Sequence, residues 1–125
     1  MSEGPHLDTV RSLCLALPEA AESGEQHRRF EVRNKTFAYY LRDHHGDGRI
    51  ALCCKAAPGA RDVLLEGAPE RFFVPPYIGV HGWVGLYLDR PFEPEEPRML
   101  IEESYRLVAP KRLATLVSAA AGARR

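Results

Sequence analysis

The stretch Phe72-Phe73-Val74-Pro75-Pro76-Tyr77-Ile78-Gly79-Val80-His81-Gly82-Trp83-Val84-Gly85-Leu86-Tyr87-Leu88-Asp89 decides the fold. It holds the single tryptophan, two of the five phenylalanines and two of the five tyrosines. From Trp83 to Leu88 the side chains alternate with a period of two, as in a half-buried strand. Trp83, Gly85 and Tyr87 fall on one face, and Val84, Leu86 and Leu88 on the other. Pro75-Pro76 brings no amide hydrogens to a ladder, so the chain must turn between Phe72-Phe73-Val74 and Trp83. The other elements are expected to pack against this unit.

Upstream, the pattern predicts a meander. Phe30 and Val32 alternate with Glu31 and Arg33, and Asn34-Lys35 reads as a tight turn. Thr36 to Leu41 makes the next strand, with Phe37, Tyr39 and Leu41 on one face. His44-His45-Gly46-Asp47-Gly48 is a second turn, followed by a strand from Arg49 to Cys54 centred on Ile50 and Leu52. Two hairpin tips are therefore exposed.

Helices flank these strands. Leu7, Val10, Leu13, Cys14 and Leu17 recur at helical spacing, giving a first helix from about Pro5 to Ala16, closed by Pro18. Glu19 to Glu25 reads as a polar loop. Pro58 opens a short second helix with Ala60, Val63 and Leu64 inward, and Gly67 closes it. The acidic run Glu93-Pro94-Glu95-Glu96 suits a helix start. The third helix passes through Met99, Leu100, Ile101, Tyr105, Leu107 and Val108, with Glu102, Glu103 and Ser104 as its polar face. Pro110 breaks it, and Lys111 to Val117 adds a turn or two. The predicted order is α-β-β-β-α-β-β-α. That is an α+β two-layer sandwich, an antiparallel sheet of about five strands with helices on one face.

Size and composition bound the rest. The 125 residues predict one domain, residues 1–117, with a frayed tail over 118–125 and a core that needs no metal or disulfide. No apolar run approaches the roughly 18–20 residues of a membrane-spanning helix. Met1-Ser2-Glu3-Gly4-Pro5 lacks the basic-then-apolar pattern of a signal peptide, so a cytoplasmic location is expected. Cys14, Cys53 and Cys54 make an odd count without a Cys-x-x-Cys pair, and read as buried free thiols. Net charge is zero, but it is segregated: residues 27–55 carry seven bases and three acids, and 111–125 four bases and no acid.

Three groups of residues, joined to this element order, resemble the MmcQ/YjbR family. They are Leu17-Pro18-Glu19-Ala20, then Pro75-Pro76-Tyr77 ahead of His81-Gly82-Trp83-Val84, then Glu103-Ser104-Tyr105-Arg106-Leu107-Val108-Ala109-Pro110-Lys111. The resemblance runs from about residue 7 to 117. It implies a two-layer fold similar to secretion chaperones and to double-wing DNA-binding domains, and double-stranded DNA as partner. The sequence leaves the oligomeric state open, with a monomer favoured.

The candidate phosphate-binding residues are Arg28, Arg29, Arg33, Lys35, Arg42 and Arg49 in the meander, with Lys111 and Arg112 near the end. Arg33 and Lys35 flank one tip, Arg42 and Arg49 the other, and Asp43 and Asp47 interrupt the second. Charged strands also keep sheet edges soluble, which is the plainer reading. The alternative function is a small-ligand or protein-interaction module, with Tyr77, His81, Trp83 and Tyr87 lining a cleft. Core aromatics are the plainer reading there.

Catalysis, cofactor and metal are not expected. His44-His45 with Asp43 and Asp47 reads as a solvated turn. Ser104, His81 and Asp89 lack a nucleophile-elbow motif. Gly79, Gly82 and Gly85 lack the Lys-Ser/Thr of a phosphate loop. The DNA reading needs the cations to gather on one side of the molecule.

Overall fold

The computed structural model describes residues 6–25, 27–42, 49–76 and 78–123. In chain order the elements are α1 (Leu7–Leu15), β1 (Ala20–Gly24), β2 (Arg28–Val32), β3 (Lys35–Arg42), β4 (Ile50–Lys55), α2 (Ala60–Gly67) and β5 (Phe72–Phe73). A 3-10 helix (Ile78–His81), β6 (Trp83–Tyr87), α3 (Glu95–Val108) and α4 (Lys111–Ala123) complete the chain. One six-stranded antiparallel sheet runs β1-β2-β3-β4-β6-β5. This is the expected α+β sandwich with one strand more.

The added strand is β1, where a polar loop was expected. Residues 20–24 pair with β2 from Ala20↔Val32 to Gly24↔Arg28. The segment lacks an apolar alternation because it is an edge strand held by its ladder. Its Glu22 takes Arg11 from α1 at 2.8 Å and Arg28 from β2 at 2.6 Å.

Strand β6 divides its side chains as the alternation predicts. Val84, Leu86 and Leu88 join Phe30, Val32, Tyr40, Leu52 and Cys54 in the core under the helices. Leu7, Val10 and Cys14 of α1, Ile101 and Tyr105 of α3, and Leu113 and Val117 of α4 fill the other side of that core. Burying each large apolar side chain contributes about 1.5–3 kcal/mol, so this layer dominates stability.

Phe37 is the exception to the alternation expected of β3. The β2–β3 register passes from Phe30↔Ala38 to Glu31↔Thr36, leaving Phe37 as a bulge. An extra residue flips the face of everything before it. Phe37 therefore enters the helix-side core, edge-on to Tyr105 at 5.3 Å. Tyr39 stays on the opposite face against Trp83 at 5.4 Å.

Further departures have local causes. The β2–β3 turn is Arg33-Asn34, one residue earlier than expected, with φ of 50° and 67°. Val63 of α2 is 70% exposed; Leu64 and Leu65 pack on the core instead. Met99 and Leu107 of α3 also face outward. Ser104, expected on the polar face, is wholly buried. The helix begun at Lys111 continues to Ala123, through alanines that favour helix most of all residues. Pro5 lies outside the described residues.

All three cysteines are buried, and none forms a disulfide. Burial pushes the Cys14 and Cys54 thiols well up, which leaves them protonated and inert. No helix among the described residues is long and apolar enough to cross a membrane.

Candidate nucleic-acid interface

Successive turns of a meander fall at alternate ends of its strands. The Arg33-Asn34 turn starts β3, and residues 43–48 follow its other end. The eight residues of β3 separate the two ends by roughly 23 Å at 3.3 Å per residue. Arg33 and Lys35 at one end of β3 therefore lie far from Arg42 and Arg49 at the other. Residues 43–48, with the His44-His45 turn, lie outside the described residues.

The candidate cations divide accordingly. At the end carrying the Arg33-Asn34 turn, Arg33 grips Glu19 with both fork positions, Nε at 2.6 Å and Nη2 at 3.1 Å. Arg112, from the first turn of α4, approaches the same carboxylate at 3.7 Å. Glu19 is itself in the left-handed region, at φ 59°. The Arg33 hydrogen bond holds its carboxyl below the usual carboxylate range, and Arg112 adds to the effect. Lys35 and Lys111 are exposed beside these two arginines. Among the described residues neither ammonium group has an ionic or hydrogen-bonding partner.

The other cations are placed elsewhere and are occupied. Arg28 binds Glu22 and the carbonyls of Gly24 and Glu25. Arg29 lies 3.4 Å from Glu31. The Arg42 amide donates to His27 Nδ1 at 3.3 Å, which ties it to the far end of the sheet. Arg49 stacks over Phe73 at 5.0 Å and Tyr87 at 5.6 Å. Of the eight candidates, only Arg33 and Arg112 are brought together, on Glu19, with Lys35 and Lys111 close to them in sequence.

The expected aromatic cleft is also divided. Trp83 and Tyr87 share a face of β6, but four residues of strand hold them about 13 Å apart. Both are nearly buried, at 8% and 9% exposure. Tyr87 is covered by Phe73 at 4.6 Å and by the Arg90 guanidinium at 3.7 Å. The helix-free face of the sheet is thus roofed by arginines over aromatic rings. Tyr77 lies outside the described residues. His81 is exposed at the end of the 3-10 helix.

Ser104 does structural work. By the Ala38↔Cys54 register, Phe37 faces Lys55 across β3 and β4. The Ser104 hydroxyl sits between them, accepting from the Lys55 amide at 3.0 Å and donating to the Phe37 carbonyl at 2.6 Å. It replaces one rung of the ladder where the bulge spreads the strands. Asp89 and His81 are both exposed, so the buried Ser104 has no triad around it. Among the described residues no group of three or more His, Cys, Asp or Glu could hold a metal ion.

Fold and geometry define a class first: a two-layer α+β domain with cationic side chains converging at one end of its antiparallel sheet. The YjbR family model matches residues 15–107, and the chain belongs to the YjbR family. Among solved structures it is similar to protein DR2400 of Deinococcus radiodurans, a DUF419 domain. The two superpose with a TM-score of 0.73 at 22% identity, over 94% of this chain and 91% of that one. At that identity the likeness is one of fold. No curated protein matches the sequence.

Proposed function

We propose that the protein binds double-stranded DNA without catalysis, gripping phosphates with the Arg33-Asn34 turn and the start of α4. The observation that carries this reading is the convergence of Arg33 and Arg112, from opposite ends of the chain, on Glu19. Lys35 and Lys111 stand beside them with free ammonium groups. Planar guanidinium forks suit phosphate oxygens, which on Arg33 would take the place of the Glu19 carboxylate, and lysines supply point charge. On this reading Asn34, in the turn, reaches a groove edge.

The test is fluorescence anisotropy of a labelled duplex across a salt series. Four phosphate contacts give a slope of about −3.6 in log K against log salt. Affinity then falls roughly a hundredfold between about 50 and about 200 mM salt. Lys35→Glu combined with Lys111→Glu should abolish low-salt binding. A duplex that stays unbound at low salt, or binds equally well to that variant, defeats the proposal.

A further inference from the structure

The sheet end that carries Arg33 and Lys35 also bears a depression of about 300 Å³. It lies where the end of β4, the start of α2 and the end of the 3-10 helix meet. Lys55, Arg61 and His81 bring positive or protonatable groups to it from these three elements, and Asp62 is its one carboxylate. Ala57, Pro58 and Leu107 supply apolar wall. Among the described residues, the Lys55 and His81 side chains meet no hydrogen-bonding or ionic partner. We propose that this depression binds a small phosphate-bearing anion.

The walls are fixed before a ligand arrives. Ser104 holds the backbone of Lys55 at 3.0 Å, and the Ala56 amide donates to the Gly82 carbonyl at 3.0 Å. Arg61 Nη1 donates to the carbonyl oxygens of Gly79 and Trp83. That ties α2 to the 3-10 helix and to the first residue of β6. A site already ordered loses little freedom on binding, so its charge-assisted hydrogen bonds translate more fully into affinity. The volume stands at the lower end for small-molecule sites. It takes a phosphate or diphosphate with a small organic group and is too small for a duplex. Lys55 and Arg61 outweigh Asp62, and the positive end of the α2 dipole at the rim adds to the same sign.

The inference stands apart from duplex binding and is tested without a duplex. Inorganic pyrophosphate is titrated at low ionic strength, with Trp83 fluorescence and calorimetry as readouts. The carbonyl of Trp83 is held by Arg61, so occupation of the site reaches the only indole in the chain. Saturable binding is expected, with sodium chloride at matched ionic strength giving none. Lys55→Gln should weaken it about tenfold or more, as loss of one charge-assisted contact implies. The exposed Lys55 side chain makes that variant safe for folding, checked by an unchanged melting curve. His81→Gln should weaken it further when combined with Lys55→Gln. Competition by a short oligonucleotide only when it carries a 5′-phosphate would assign the site to nucleic-acid ends. No competition by either form would assign it to a free small molecule, and both results uphold the site. Equal competition with and without the phosphate, absence of saturable binding, or undiminished binding by Lys55→Gln would overturn it.

Discussion

Ser104→Ala is the most informative single change, because one hydroxyl serves two strands. It leaves the Phe37 carbonyl and the Lys55 amide facing each other across the space that the oxygen filled. The two groups are already bridged at 2.6 and 3.0 Å, so a direct bond requires the strands to close by the width of an atom. The Phe37 ring, packed edge-on against Tyr105, opposes that closure. An unsatisfied buried polar group costs about 1–3 kcal/mol, and two partly relaxed ones about 2–3 kcal/mol together. For a domain of this size that lowers the melting temperature by about 10 °C. Urea unfolding followed by Trp83 fluorescence and circular dichroism gives the number, with an unchanged m-value showing that the native state stays compact. A loss under about 0.5 kcal/mol would mean that the strands do close, and the bridging role would be wrong.

Two further changes test the sheet and its acid response. A Cβ on Gly85 would stand 2.3 Å from the Phe73 ring, so Gly85→Ala should cost about 1–3 kcal/mol by lifting that ring off the strand; calorimetry should show the cost vanish in a Phe73→Ala background, and an undiminished cost there would count against the contact. The Arg11 hydrogen bond, aided by Arg28 against desolvation, holds the Glu22 carboxyl below its ordinary range. With the folded pKa below the unfolded one, this stabilisation is full above about pH 4.3 and is lost as pH falls through the folded value. Glu22→Gln should therefore flatten the acid limb of melting temperature against pH, and identical limbs in both proteins would refute the pairing.

The sequence made the core of this fold readable and its departures unreadable for definite reasons. Strand β6 was legible because a strict period of two over Trp83 to Leu88 admits only one assignment of faces. Strand β1 was hidden because Ala20-Ala21-Glu22-Ser23-Gly24 shows no such period; its ladder to β2 is a tertiary fact. The Phe37 bulge was hidden because an extra residue leaves the alternation of Phe37, Tyr39 and Leu41 intact on paper. The same limit applies to the candidate site. Arg33 and Lys35 were marked by their turn, and Lys111 and Arg112 by their lack of acids. Nothing local marked Glu19, whose role depends on two arginines distant in the chain. Grouping Arg33 and Lys35 with Arg42 and Arg49 failed on topology, since the two pairs stand at opposite ends of β3. Lys55 and Arg61 carried a faint signal, a strand-ending lysine just ahead of Pro58-Gly59, with the arginine two residues past Gly59.

The two borders of the sheet differ in kind. One is β5, only two residues long, and the other is β1, whose Glu22 is tied to two arginines. A foreign strand trying to zip onto β5 finds too few main-chain groups to repay its ordering. On β1 it must lie along a rim studded with charge and ending in Gly24 at φ 96°. Runaway polymer growth through sheet borders is thereby denied a starting template at either side. The arrangement lets a chain with zero net charge avoid fibres without relying on mutual repulsion between molecules.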